Sequence, residues 1–242
     1  MGYHPDRQFP APQNRILGVG KSPYYFWPSN PAAALGKWII ESSSGSFYGS
    51  ATDAAADWYY VATNSGTVTM GANGLILTTG ATDGNNTTVQ RCEGATVAAS
   101  KHFIAVWRQK HDVVATGKSA NGFYLTGLDP IGTIPVSGAW FEKTTGTTGA
   151  ITCITSAAST ATTSTGHTAV LDTFYDYGIV INGTTNTQFW QKATTTEAWT
   201  LLATHTTNLP AGAMRLSFNR NASNSGGVDL STIRYWNLAM EI

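Results

Sequence analysis

Fourteen carboxylates, five histidines and two cysteines are the groups through which this chain of 242 residues could do acid–base or covalent chemistry. Glycoside hydrolysis needs two carboxyl groups a few ångströms apart, one protonated and one ionised. On a strand such a pair reads as acid-x-acid or acid-x-x-x-acid. The nearest spacings, Asp172 with Asp176 and Asp53 with Asp57, read as turns, and Glu41, Glu93, Glu142, Glu197 and Glu241 stand alone. His4, His102, His111, His167 and His205 show no i, i+2 or i, i+4 pairing of the kind that holds a metal. His102 and His205 fall on predicted strands and are expected at the surface or in hydrogen bonds. No serine sits in a nucleophile elbow and no glycine-rich turn makes a phosphate loop. Cys92 and Cys153 match no metal or redox spacing, so free thiols are expected, with a single disulfide as the alternative. "ATDGNNTT" offers Asp83, Asn85 and Asn86 as oxygen ligands for calcium, but lacks the closing glutamate. An Asx-bonded turn accounts for the same letters. The expectation is a protein with no enzymatic activity, no metal and no cofactor.

Binding is the remaining chemistry, and tryptophan is its most visible residue. Trp38, Trp58, Trp107, Trp140, Trp190, Trp199 and Trp236 all lie on predicted strands. Exposed rings of this kind stack on sugars, which makes carbohydrate binding one reading. The other is a sandwich core. Alternation puts Trp58 with Tyr60, Phe103 with Trp107, and Ile233 with Tyr235 on common faces. No glycan contact is assigned to a particular residue at this stage.

The elements that must position these residues are strands. From Lys37 onward, "KWIIE", "DWYYVAT", "GLILTTG", "TTVQRC", "KHFIAVWRQ", "GFYLTG", "AWFEKT", "AITCIT", "YDYGIVIN", "TQFWQKA", "WTLLATHT", "MRLSF" and "STIRYWNLAM" carry β-branched and aromatic residues between Gly, Asn, Ser and Asp turns. So many short strands exceed one twisted open sheet, and two packed sheets, a sandwich or jelly roll, follow. Helical periodicity is nearly absent; "DAAAD" at 53–57 makes one turn at most. The tract "TTGTTGAITCITSAASTATTSTGHT" (144–168) reads as one strand around Ile151, Cys153 and Thr155, then a loose Ser/Thr/Ala loop. An ordered loop against a neighbouring subunit is the alternative there. Threonine's hydroxyls satisfy an outer face without charge.

Composition limits the partners. Charged residues are 12% of the chain and cancel to zero net charge, which excludes bulk attraction to nucleic acid or an anionic membrane. Low charge also removes the repulsion that keeps proteins apart, as suits a packed assembly. The first residues have no apolar h-region, and no run of 18 apolar residues occurs, so synthesis in a cytosol is expected.

Residues 1–36 read as a separate unit. Six of the nine prolines lie there, which excludes a helix interior or a central strand. Phe9, Tyr24, Tyr25, Phe26 and Trp27 make the segment too aromatic for a solvated linker. It reads either as an extended arm laying these rings on a partner, or as a strap folded back on its own domain. The domain proper is 37–242.

The phrases "FYDYGIVING…TQFWQK…AWTLLATHTTNLPAGAMRLSFNRNAS…VDLSTIRYWNL" (174–238) resemble the C-terminal half of the concanavalin A-like (LamG-like) jelly-roll domains of bacteriophage virion proteins. "GANGLILTTGATDGNNTTVQR" followed by "KHFIAVWRQ" is similar to the first half. The resemblance spans about 37–242 and excludes the arm. It implies an all-β, two-sheet antiparallel sandwich of concanavalin A-like jelly-roll type with an extended N-terminal arm. It also implies a structural part of a tailed-phage virion, assembled in the host cytoplasm: a capsid decoration, head-fibre or tail-associated protein. The implied partners are the major capsid protein or other virion proteins, in a homo-oligomer of which a trimer is one form. Lectins of the wider class hold metal and sugar through acidic loops, and no such loop matches here. A lectin-like module for host adsorption is the second reading.

Overall fold

The structure, a computed structural model, describes residues 38–43, 49–50, 58–62, 66–71, 74–80, 85–91, 95–97, 101–111, 118–124, 134–143, 149–193, 198–222 and 230–241. They form seventeen strands and no helix among the described residues. The strands are β1 (Trp38–Ser43), β2 (Gly49–Ser50), β3 (Trp58–Ala62), β4 (Thr67–Gly71), β5 (Gly74–Thr78), β6 (Asn86–Arg91), β7 (Ala95–Val97), β8 (His102–His111) and β9 (Lys118–Tyr124). After them come β10 (Ser137–Lys143), β11 (Ala150–Ala157), β12 (Thr160–Thr168), β13 (Tyr175–Asn182), β14 (Asn186–Lys192), β15 (Thr200–His205), β16 (Gly212–Asn221) and β17 (Leu230–Glu241).

Two sheets result. The first runs β15-β14-β13-β8-β17-β5-β4, with β1 continuing beside β17 where β5 stops. The second runs β12-β11-β10-β9-β16-β6-β3-β2, with β7 beside the start of β16. All pairs are antiparallel except the two-residue contact of β2 with β3.

Between the sheets the period-2 alternation buries one aromatic face. Trp107 of β8 sits at the centre, with ring centroids 5.8 Å from Phe141, 6.1 Å from Tyr177 and 5.9 Å from Phe218. Trp58 meets Trp236 edge-on across the sandwich at 5.5 Å. Removing one such ring to alanine costs about 3–5 kcal/mol. Gly122 serves this packing on the other side. It lies opposite Trp140, and a Cβ there would sit 2.3 Å from the carbonyl oxygen of Ala139.

Three expectations need correction. The Ser/Thr tract is no loose loop: Ala158 and Ser159, both at positive φ, make a two-residue turn that folds β12 back onto β11. Asp176 belongs to β13, buried at 1% exposure, and only Asp172 is in a turn. Alternation also fails between Ile233 and Tyr235. Ile233 pairs with Gln109 and Tyr235 with Arg108, so Arg234 is an extra residue in β17. Ile233 and Trp236, three apart, both enter the core. "DAAAD" (53–57) and residues 1–36 lie outside the described residues.

One edge of the sandwich is closed by polar side chains. His205 of β15 places Nδ1 2.9 Å from Thr155 Oγ1 and Nε2 2.9 Å from Ser164 Oγ, joining the first sheet to β11 and β12 of the second. Beside it Thr162 Oγ1 lies 2.8 Å from Thr207 Oγ1 and accepts from Asn208 Nδ2. Threonine here is a cross-sheet bonding residue as well as a β-former.

Candidate functional site: an aromatic and cationic row on the first sheet

Side chains that alternate with the core positions point out of the first sheet. Trp107 and Phe189 are core residues, so Arg108 and Trp190 face outward. Register then lines up Lys192 of β14, Asp176 of β13 and Arg108 of β8 across three neighbouring strands. The next row places Trp190 beside Gly178 and then Val106. Gly178 contributes no side chain to this row, and Val106 is 2% exposed. Further along, the outward-facing Ile104, Val180 and Ala239 are all 0% exposed, which makes the middle of this sheet buried on both sides.

The charged row is built around one carboxylate. Asp176 Oδ1 accepts from Arg108 Nη1 at 3.2 Å, and Lys192 Nζ lies 3.4 Å from Oδ2. Asp176 is 1% exposed, while each cation keeps 17%. Low local dielectric strengthens these pairs and orients both cations. Lys192 also lies over the Trp199 ring at 5.1 Å. Phe174, just before β13, gathers three cations: Arg234 at 4.3 Å, Arg108 at 5.7 Å and Lys110 at 5.7 Å from its centroid. Lys110 is paired in turn with Asp172. Phe174, Trp190 and Trp199 are all partly exposed. The row therefore offers flat apolar faces beside oriented N–H donors.

The tryptophans of the sequence divide in two. Trp58, Trp107 and Trp236 are core, and Trp140 is buried with Tyr124 on the outer side of the second sheet. Trp190 and Trp199 remain reachable. Reading the sequence assigned no role to Phe174, Arg108, Lys110, Lys192 or Arg234. The signal was Arg108 with Lys110, and Trp190 with Lys192: i, i+2 pairs that share a strand face.

The candidate acids do not come together as a catalytic pair. Asp172 and Asp176 are each held by their own cations. Glu142 lies on the outer face of the second sheet, where burial raises its pKa above the usual carboxylate range against the pull of Lys118, 3.9 Å away. Asp53, Asp57, Glu93 and Glu197 lie outside the described residues, as do His4 and Cys92.

Among the histidines, His111 is held well below its ordinary pKa, first by burial and then by Arg220 and Lys143. Its Nδ1 is 3.1 Å from Ser231 Oγ. His167 packs against Tyr175 and Tyr177, and burial lowers its pKa to about 4. Cys153 is a buried free thiol pushed up to about 12 by desolvation.

For the calcium reading, Asn86 Oδ1 accepts from Thr88 Oγ1 and Asn219 Nδ2, so hydrogen bonds within the sheet take that oxygen. Asn85 is buried and its carbonyl accepts from Ala222 N. Asp83 lies outside the described residues, as do the arm residues Phe9, Tyr24, Tyr25, Phe26 and Trp27.

No protein-family model matches the chain, and no curated protein matches it. Solved structures do. Peanut lectin, crystallised with a nonapeptide, superposes with a TM-score of 0.59 at 13% identity, over 84% of this chain and 97% of its own. The lectin UEA-II from Ulex europaeus, complexed with galactose, gives 0.58 at 10%, over 84% and 99%. A β-glucanase of Bacillus licheniformis gives 0.58 at 11%, over 81% and 98%. At such identities the likeness is one of architecture alone, and with the strand order above it makes this chain a concanavalin A-like, two-sheet antiparallel β sandwich.

Proposed function

We propose that this protein is a non-enzymatic carbohydrate-binding module whose ligand lies on the outward face of the first sheet. One observation carries the reading. On a chain with only 12% charged residues, the partly exposed rings Phe174 and Trp199 lie against the cations Arg108, Lys192 and Arg234, and Trp190 shares the strand face of Lys192. Flat apolar faces next to a few fixed polar groups are what a sugar requires, one for its C–H face and the other for its hydroxyls. The lectin-like architecture supports the same reading.

The test is a glycan array on the full chain, followed by titration calorimetry with the best saccharide. Trp190→Ala should weaken binding at least about tenfold, equivalent to about 1.4 kcal/mol, with an unchanged circular dichroism spectrum. A chain that binds no saccharide overturns the reading.

The setting we propose is the virion of a tailed phage, where such a module serves host adsorption. The resemblance of 174–238 to phage virion domains supports it, as does the low net charge. In that setting residues 1–36 anchor the protein to the major capsid protein or another virion protein, and several copies, a trimer for instance, add weak contacts through avidity. Deleting 1–36 should abolish attachment to purified particles while the domain keeps its saccharide binding. Attachment that survives the deletion overturns the anchoring role.

A further inference from the structure

We infer that the saccharide is anionic, carrying carboxylate or sulfate groups. The inference rests on the carbohydrate-binding reading and deepens it. Among the described residues this patch holds Arg108, Lys110, Lys192 and Arg234 against Asp172 and Asp176. Four of the chain's 14 lysines and arginines thus gather on one face of a protein with zero net charge.

Asp176 is 1% exposed and its two oxygens face Arg108 and Lys192, which leaves Asp172, paired with Lys110 through Oδ1, as the one exposed carboxylate among the described residues of the patch. Arg234 is exposed, and no described carboxylate lies in ion-pair range of it; its contact is the Phe174 ring at 4.3 Å. A guanidinium has five N–H donors in a fixed fork and an ammonium has three, so bonding one acid leaves donors over on Arg108 and Lys192. Donors on four cations therefore outnumber the acceptors of one exposed carboxylate. A neutral sugar offers each hydroxyl as one donor and two acceptor sites, and most of its donors would find no partner in the patch. A uronate or sulfate offers acceptors only, in the planar or trigonal form that a guanidinium fork grips.

The experiment uses the full chain and saccharide pairs that differ in charge alone. An oligogalacturonate is compared with its methyl ester, and a sialylated oligosaccharide with its desialylated form. In at least one pair the acidic member should bind about tenfold or more tightly. Raising NaCl from 50 to 500 mM should weaken it several-fold, because exposed charges are screened within a Debye length. Arg234→Gln, an exposed change that the fold tolerates, should narrow the acid-to-neutral ratio about fivefold.

Equal affinity for both members of every pair overturns the inference and leaves carbohydrate binding standing. Failure to bind either member of any pair, or any other saccharide, overturns both. Equal binding of single-stranded DNA and the acidic saccharide shows a generic polyanion surface and overturns the inference as well.

Discussion

The two outward faces of this sandwich spend their polar groups differently. On the first sheet the polar side chains are charged, partly exposed and arranged around rings. On the second a central group is neutral, buried and bonded together, and the charged Lys118, Glu142 and Arg215 stand outside that group. Gln90 Nε2 donates to Ser217 Oγ at 2.9 Å, and Asn219 Nδ2 donates to Asn86 Oδ1 at 3.0 Å and to Thr88 Oγ1. Gln90, Thr88, Ser217 and Asn219 are all 4% exposed or less. A buried amide and hydroxyl network fixes register and presents no donor to solvent. An open ionic row leaves donors over. The same architecture therefore has one face that holds itself and one that can hold something else.

The largest effect should come from the carboxylate that organises the open row. Asp176→Asn leaves Arg108 and Lys192 facing an uncharged amide, and should cost about 3 kcal/mol, the low end for breaking a buried pair because both cations keep some solvent. Urea denaturation measures it. A change below about 0.5 kcal/mol would mean that the row is a solvated surface like any other.

Asn219→Ala on the closed face should cost about 2 kcal/mol, since it removes the buried amide that donates to both Asn86 Oδ1 and Thr88 Oγ1. Saccharide affinity should stay unchanged. A loss of binding would break the division of labour between the faces.

The smallest effect concerns the space between them. His167 has a folded-state pKa near 4 against an ordinary 6.5, so the unfolded chain binds its proton more readily. The stability it contributes is intact above about pH 6.5 and drains away as pH falls toward 4. The loss by pH 5.5 should be on the order of 1 kcal/mol after allowing for partial exposure. His167→Gln should flatten that part of a thermal-melt profile against pH.

Sequence reading reached the sandwich because most of its strands carry apolar residues at every second position. "YDYGIVIN" and "KHFIAVWRQ" became β13 and β8 on nearly the expected bounds. It failed where a strand's inward residues are polar. β9 begins at Lys118 instead of Gly122, because Ser119 and Asn121 are buried and Asn121 Nδ2 bonds Gln109 Oε1 across the sandwich. No hydrophobic beat announces that. β12 failed for a related reason: an edge strand of threonines has no apolar face to alternate.

The site was less legible still. Its residues come from β8, β13, β14, β17 and the segments before β13 and β15, and only the register of three paired strands brings Lys192, Asp176 and Arg108 into line. The tryptophans could be named in advance, but which of them stayed reachable depended on packing that no local pattern encodes.

The supernumerary residue in β17 has an evolutionary corollary. Arg234 is the residue that the ladder skips, so losing that single codon would restore regular alternation and withdraw the guanidinium from the Phe174 ring in one step. Related chains could then change their preference for ligand charge by a one-residue deletion, with no substitution anywhere in the patch.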